Sequence, residues 1–451
     1  MLCWHVSVAE IRVFWFLKRY NDFLFDHSLY FNLTDKRHID DDTARKAILE
    51  KVDLCVACGM CIPHCPTYQM THSEAESPRG RLSLISAYLN GHLQLDAVLQ
   101  EHLNHCLLCR SCEPVCPAVV PFAEIMDASR RYMNQSASAG SWLKRLLLYI
   151  VSHKKMARLM IASLNRLRLK KLLKRLPVKA NSPMARYSGF AEQLQTAPIW
   201  KPFYPAVGIQ KRTVGLFLGC VQEFFDIRSL QDSIRVLNYL GIGVYVPSTQ
   251  QCCGAMHLHS GDIKKAEIMY QQNREAFAHL QIDTMLSLSS ACTVTLMERE
   301  HACSSNQNDE NQQNIKIMDI VTYLEKIEWY KEVTLQPVNR KILLHYPCTQ
   351  RNVLKNTDTV YRLLSRIPGL SISEQKEMGC CGAAGTYTLD YPEWSDQLKA
   401  STAAHIDIQT DVIVSSNIGC MLQFQSISGE MGSIEVQHPI NMLVKSLGCL
   451  Q

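Results

Sequence analysis

The spacing of apolar residues along the chain changes character as the chain proceeds. Between residues 78 and 107 it is helical: Leu82, Leu84, Ile85, Tyr88 and Leu89 share one face of a predicted helix, and residues 96–107 predict a second. After Pro202 it gives way to short apolar runs alternating with amphipathic stretches, the order expected of an α/β domain. Residues 214–218, 243–246 and 285–288 predict strands, and residues 341–345, 370–373 and 412–415 predict the same three again. The expected fold class is therefore α+β and multidomain, a helical domain followed by a duplicated α/β domain.

The first fifty residues lie outside this pattern. Their longest apolar run, 13–17, is flanked by Glu10, Arg12, Lys18 and Arg19, with no basic n-region, no small-residue cleavage site and nothing of membrane-spanning length. They read as neither signal peptide nor anchor. An interfacial or partner-binding helix and a frayed extension both fit, and Cys3 is a bystander there.

Composition changes the picture through one residue type. The 451 residues include 19 cysteines, which in a short secreted protein would suggest disulfides; here sixteen of them fall into four ordered sets, implying a reducing compartment. Two sets are echoes of one another, Cys55, Cys58, Cys61 and Cys65 before Pro66, and Cys106, Cys109, Cys112 and Cys116 before Pro117. Each is a C-x2-C-x2-C-x3-C-P run, the spacing of two-cluster ferredoxins, so the helical domain is expected to be a ferredoxin domain. Three thiolates on a tightly curling loop converge on one 4Fe-4S cluster, whereas the fourth, turned away by proline, points to another. The expected ligand sets are Cys55, Cys58, Cys61 and Cys116 for one cluster, and Cys106, Cys109, Cys112 and Cys65 for the other. Structural zinc and a disulfide framework are the competing readings. Arg79 and Arg81, at the start of the helix between the runs, either offset thiolate charge or are simply solvated.

The other two sets belong to the duplication. Cys220, Cys252, Cys253 and Cys292 return in the same order and at the same intervals as Cys348, Cys380, Cys381 and Cys420, and Cys252-Cys253-Gly254-Ala255 matches Cys380-Cys381-Gly382-Ala383. In α/β sheets, sites gather at the carboxyl ends of strands, where Cys220, Cys292, Cys348 and Cys420 are expected. Two like sites, or one shared between the halves, should follow. His257, His259, His345 and His438 are read as structural, and Cys303 and Cys449 as plain thiols.

Charge is uneven. Residues 128–191 contain fifteen lysines and arginines and no acid, while the whole chain is only +5. Interleaved with Trp142, Leu146, Leu147, Ile150, Leu159, Ile161 and Leu164, the bases predict basic amphipathic helices. These suit an anionic membrane surface, or pack on the protein with one solvated face. No nucleic-acid-binding module accompanies them. The domain boundaries expected are an extension (1–50), the ferredoxin domain (51–134), a basic connector (135–205) and two α/β repeats (206–335 and 336–451).

Paired Cys-Cys-Gly segments behind a double cubane run resemble the CCG-domain iron–sulfur oxidoreductases related to heterodisulfide reductase. Within that group, Pro66-Thr67-Tyr68-Gln69, Ser77-Pro78-Arg79-Gly80-Arg81, Cys380-Cys381-Gly382-Ala383-Ala384-Gly385-Thr386-Tyr387 and Asn417-Ile418-Gly419-Cys420 are most similar to glycolate oxidase iron–sulfur subunits. The likeness runs from about Val52 to the C-terminus, leaving out the polar insertion 304–314. It implies electron transfer within a 2-hydroxy-acid dehydrogenase complex, from FAD on a partner dehydrogenase subunit toward a quinone or other acceptor. The expected location is the cytoplasm, peripheral on the cytoplasmic face of the inner membrane. Lactate-utilisation and anaerobic glycerol-3-phosphate dehydrogenase subunits share the plan, and a thiol–disulfide reductase is the alternative enzyme class. Heterodisulfide reductase has a further cysteine three residues after the last of each set, where this chain has Thr295 and Gln423. A cluster, a zinc ion and free thiols therefore all stay open at these sites. No glycine-rich dinucleotide fingerprint follows a strand, so flavin is expected on another polypeptide.

Overall fold

The computed structural model describes residues 41–136, 146, 148–150, 152–166, 193–304, 315–375, 379–428 and 434–448. Residues 1–44 and 45–451 are separate units, and of the first only 41–44 are described. Cys3, Cys449, the insertion 305–314 and the bases Lys170, Lys171, Lys174 and Arg175 lie outside the described residues, as does the side chain of Cys303.

Short helices build the N-terminal domain around the cysteine runs. Pro78–Leu89 starts where expected because Ser77 accepts a hydrogen bond from the Gly80 N–H and Pro78 occupies the first turn; Asp96 does the same for Ala97–Asn104 through Leu99. These two helices and Phe122–Ser136 bury Leu82, Ile85, Leu99, Leu103, Phe122, Ile125 and Met126 together with Ile48 and Val52. Each such side chain withdrawn from water contributes about 1.5–3 kcal/mol.

The C-terminal part is two parallel sheets. The first contains β1 (Phe203–Tyr204), β2 (Arg212–Phe217), β3 (Ile242–Tyr245), β4 (Thr284–Ser287) and β5 (Lys316–Asp319), in the order β1-β3-β2-β4-β5 with only β1 antiparallel. The second contains β6 (Arg340–His345), β7 (Leu370–Glu374), β8 (Val412–Ser415) and β9 (Glu435–Gln437), in the order β7-β6-β8-β9. The duplication extends to register. Leu216 pairs with Leu286 and Thr213 with Gly243; at the corresponding positions of the second repeat Leu344 pairs with Val414 and Lys341 with Ser371. All six strands expected from the apolar runs form within a residue or two.

The repeats share one core. Val214, Leu216, Val244, Ile342, Leu344 and Val414 belong to a single buried cluster. Their exchange of helices is reciprocal: the last helix of the second repeat, Pro439–Ser446, packs on Ile227–Tyr239 of the first, while Ile320–Lys326 packs on Thr357–Ser365. At the first of these seams, buried Asn441 accepts from Ser229 Oγ at 2.9 Å and donates to Asp232 at 2.8 Å.

The described part of the basic connector is docked on protein. In the helix Lys154–Arg166, Ala157 and Ile161 bury against Phe224, while Lys154 (3.1 Å) and Arg158 (2.5 Å) pair with the fully buried carboxylate of Glu223. These two bases therefore face an acid of the first repeat, and the packed alternative describes this stretch.

Asn441→Ala removes both hydrogen bonds across the seam and leaves Asp232 short of a donor. We expect a loss of about 1–3 kcal/mol of stability, read as a lower denaturant midpoint with unchanged cysteine chemistry.

Candidate metal centres

The two cysteine runs curl in the same way. Ala57 and Gly59 in the first have positive φ (52° and 83°), and so do Leu108 and Arg110 in the second (51° and 59°). Left-handed backbone suits glycine, and at Arg110 it is held by ion pairs to Glu113 (2.6 Å) and to Glu298 of the first repeat. The structure brings the cysteines together across the runs. Burial raises the Cys61 thiol above its ordinary value, and the neighbouring charges of Cys55 and Cys116 push the same way. The Cys112 thiol is raised chiefly by burial, then by Cys109, Cys106, Glu113 and Cys65. Cys65 of the first run lines one small cavity with Cys106, Cys109 and Cys112 of the second.

The surroundings differ. Cys58 is exposed beside Leu54 (47 % exposed), Val56 (70 %) and Met60 (55 %), so the first group is at the surface. There the backbone N–H of Arg79, in the first turn of its helix, hydrogen-bonds to Cys61, and the Arg79 guanidinium donates to Ala57 O at 3.1 Å. Helix N-termini favour negative charge. The second group is buried behind Arg81. That guanidinium is 1 % exposed and is ion-paired to Glu76; it reaches Thr67 Oγ1 at 3.1 Å and the Cys65 sulfur at 3.9 Å. His102 Nδ1 (2.7 Å) and His105 Nδ1 (2.9 Å) converge on the other Glu76 oxygen. Burial pushes the Glu76 carboxyl up, but the hydrogen bonds from His105 and His102 and the charge of Arg81 outweigh it and hold the group below the usual carboxylate range. Of the two arginines, only Arg81 is withdrawn from solvent.

The repeats place Cys220, Cys292, Cys348 and Cys420 after β2, β4, β6 and β8, beside the point where strand order reverses, and the Cys-Cys pairs after β3 and β7. In the first, Cys220 and Cys252 sulfurs are 3.1 Å apart and those of Cys253 and Cys292 are 3.4 Å apart; in the second, Cys381 and Cys420 are 3.0 Å apart and Cys348 bonds Cys380. Gly254 and Gly382 are left-handed (φ 86° and 78°), and a Cβ there would meet the Ala266 backbone at 3.1 Å or Ser395 O at 2.9 Å. Only glycine lets the Cys-Cys pair turn back under the neighbouring helix. A hydrogen bond to Cys252, then burial, raises the Cys220 thiol, whereas Cys252, accepting from Cys220, Cys253 and the Gly254 N–H, is lowered. Cys348 is raised well above the ordinary value, first by its bond to Cys380 and then by burial; Arg351 opposes the shift. Each set offers four sulfurs with no carboxylate or imidazole among them, a soft donor set that fits iron–sulfur chemistry or zinc. Crowded, buried thiols hold protons until a cation takes their place.

Both sets line one cavity of about 1160 Å³, which also reaches Cys106, Arg131 and Tyr391. The two sites are separate sulfur sets that share this space. The four histidines are engaged as hydrogen-bonding or ion-pairing groups, and His257 and His259 line the same cavity. His345 is held at 3.0 Å by Ser415 and kept neutral by burial, with its pKa lowered to about 3; His438 bonds Leu288 O and caps its helix. His257 faces Asp262 and His259 faces Asp127. Sequence patterns gave no sign of the Glu76, His102 and His105 arrangement, which joins the turn Glu74–Glu76 to the C-terminal end of the helix Ala97–Asn104.

A family model described as a 4Fe-4S dicluster domain matches residues 51–120, and one described as a cysteine-rich domain matches twice, at 214–297 and 342–425. The chain thus combines a 4Fe-4S dicluster domain with two copies of the cysteine-rich domain. It is similar to the probable glycolate oxidase iron-sulfur subunit of Bacillus subtilis (27 % identity, covering 87 % of this chain and 94 % of that protein). It is also similar to the glycolate oxidase iron-sulfur subunit of Escherichia coli (28 %, covering 87 % and 93 %). Lactate utilization protein A of Shouchella clausii matches at 25 % identity over 51 % of this chain and 98 % of its own length. In the cysteine-rich domains the matched segments contain three strands of each sheet with their cysteine loops, and the dicluster match ends just before the helix Phe122–Ser136.

A carboxylate held below its ordinary pKa contributes stability above the unfolded value, about 4.3, and loses it as pH falls through the native one. Glu76→Gln should therefore cost about 3–5 kcal/mol at neutral pH by leaving Arg81 buried without a counter-charge. The gap between variant and wild type should close below about pH 4.3, as measured by thermal melts of both at matched pH.

Proposed function

We propose that this chain is the electron-transfer subunit of a 2-hydroxy-acid dehydrogenase of the glycolate oxidase type. The observation that carries the reading is four sulfur-lined sites on one chain whose strands are followed by cysteine loops, with no dinucleotide fingerprint. Substrate oxidation is then assigned to a partner flavoprotein, and a quinone or comparable acceptor receives the electrons. Cys55, Cys58, Cys61 and Cys116 would hold one 4Fe-4S cluster and Cys106, Cys109, Cys112 and Cys65 the other, with a further centre at the CCG cysteines. Bound clusters supply one-electron storage at potentials set by charge, hydrogen bonds and exposure. The chain's own groups supply those three: the Arg79 N–H at Cys61, Arg81 beside Cys65, and the burial of the second group against the exposure of the first.

One observation favours a second reading at the CCG sites alone. Sulfurs 3.0–3.4 Å apart are close to the roughly 3.8 Å separation around a single tetrahedral zinc with Zn–S near 2.3 Å. Metal analysis of Cys220→Ser and Cys380→Ser decides between them, since the lost metal is either iron or zinc.

The ligand crossover is tested by Cys65→Ser. Its spectroscopic effect should fall on the cluster of Cys106, Cys109 and Cys112; an effect confined to the Cys55 cluster would refute the assignment. The relay is tested with an artificial dye. The isolated chain should oxidise neither glycolate nor lactate until a flavoprotein partner is added, and turnover by the flavin-free chain would sink the reading.

A further inference from the structure

The two repeats present equivalent surfaces, and different partners cover them. In the first repeat Glu223 and Phe224 are covered by the connector helix, through Lys154, Arg158, Ala157 and Ile161. The corresponding positions of the second repeat are Arg351 and Asn352, and there the second cysteine run docks instead. Asn352 Nδ2 donates to Cys109 O at 2.7 Å and to Ser111 Oγ at 3.0 Å. The Cys109 carbonyl lies between two left-handed residues, Leu108 and Arg110, so this hydrogen bond holds a backbone shape that residues with side chains adopt reluctantly.

Around this junction Leu107, Cys109, Cys348, Cys380 and Tyr387 form one apolar cluster. Burial, and after it the neighbouring Cys348, pushes the Cys109 thiol up to about 12. The first-repeat cysteines lack a comparable neighbour: among the described residues, the apolar cluster around Cys220, Cys252, Cys253 and Cys292 contains nothing from the dicluster domain. The same loop touches the first repeat through the Arg110–Glu298 ion pair, whose acid is half exposed. With the connector helix seated over Glu223 and Phe224, the face that would admit a cluster loop is already filled.

We propose that Asn352 is a positioning residue that fastens the second cluster loop to the second-repeat cysteines, and that these, rather than the first-repeat cysteines, exchange electrons with the dicluster domain. The inference rests on the reading that both sets of cysteines hold iron–sulfur centres. The exchange moves single electrons: one centre loses an electron as the other gains it, no bond or proton changes hands, the partner's reduced flavin is the source, and a quinone-type acceptor is the sink.

The test uses the full chain, purified anaerobically, with iron and zinc counted in every variant and electron paramagnetic resonance recorded on partial reduction. In the wild type the second cubane and the second-repeat centre should broaden or split one another's signals. Asn352→Ala and the isosteric Asn352→Asp should keep their iron and the cubane's g-values yet lose that splitting, and reduction of the second-repeat centre should slow. Glu298→Gln and Cys220→Ser should retain the splitting. A splitting that survives both Asn352 variants, or disappears in Cys220→Ser, overturns the inference. Iron at the second-repeat cysteines with no splitting in the wild type overturns it while leaving the proposed function standing. Absence of iron from those cysteines overturns the iron–sulfur reading of the site and this inference with it.

Discussion

Thiolates gathered under protein repel one another, and most of the polar architecture of this chain is arranged around that repulsion. Sixteen cysteines occupy four groups, and more than half of these residues are buried. Burial and the charge of neighbouring cysteines raise thiols such as Cys109 and Cys112, so these become thiolate when a cation compensates them. Each group has a nearby donor or cation of its own. Cys61 has the Arg79 N–H at a helix start, Cys65 has Arg81, Cys220 feels Lys154 and Cys348 feels Arg351. Arg81 is itself buried and would be costly without Glu76, which His102 and His105 hold in place.

Duplication solved the positioning problem once and reused it. Strand register, the left-handed glycine after each Cys-Cys pair and the reciprocal helix exchange are common to both repeats. The two copies have since diverged at the surface that meets the rest of the chain. Glu223 recruits a basic helix; Asn352, one residue beyond the position corresponding to Glu223, binds a cluster loop. A symmetric scaffold thereby gives its two sulfur sets unequal neighbours, one beside the dicluster domain and the other beside Lys154, with a common cavity between them.

The cysteines were legible because their chemistry fixes their spacing, and a constant displacement between the copies survives wherever both must present four sulfurs. Most of the six expected strands were legible because both faces of a parallel sheet are covered, leaving short apolar runs such as Val412 to Ser415. Three of the four edge strands were not: β1 has two residues and β9 three, too few for a period, and β5 opens with exposed Lys316 after a polar insertion. The basic connector left two readings open because its counter-charge is remote in sequence; Lys154 and Arg158 meet Glu223 only after folding. Asn352 carried no signal at all, being a single amide whose partner, Cys109 O, is backbone on another domain.

Electron transfer through this chain requires that its sulfur sites hold iron–sulfur centres rather than protons or zinc. Iron, acid-labile sulfide and zinc measured on the full chain after anaerobic purification test this most directly. The expected result is about eight irons with matching sulfide from the dicluster domain, further iron that disappears in Cys380→Ser, and little zinc. Zinc in near-integral amounts with sulfide absent, or a metal-free chain whose thiols all titrate, would contradict it.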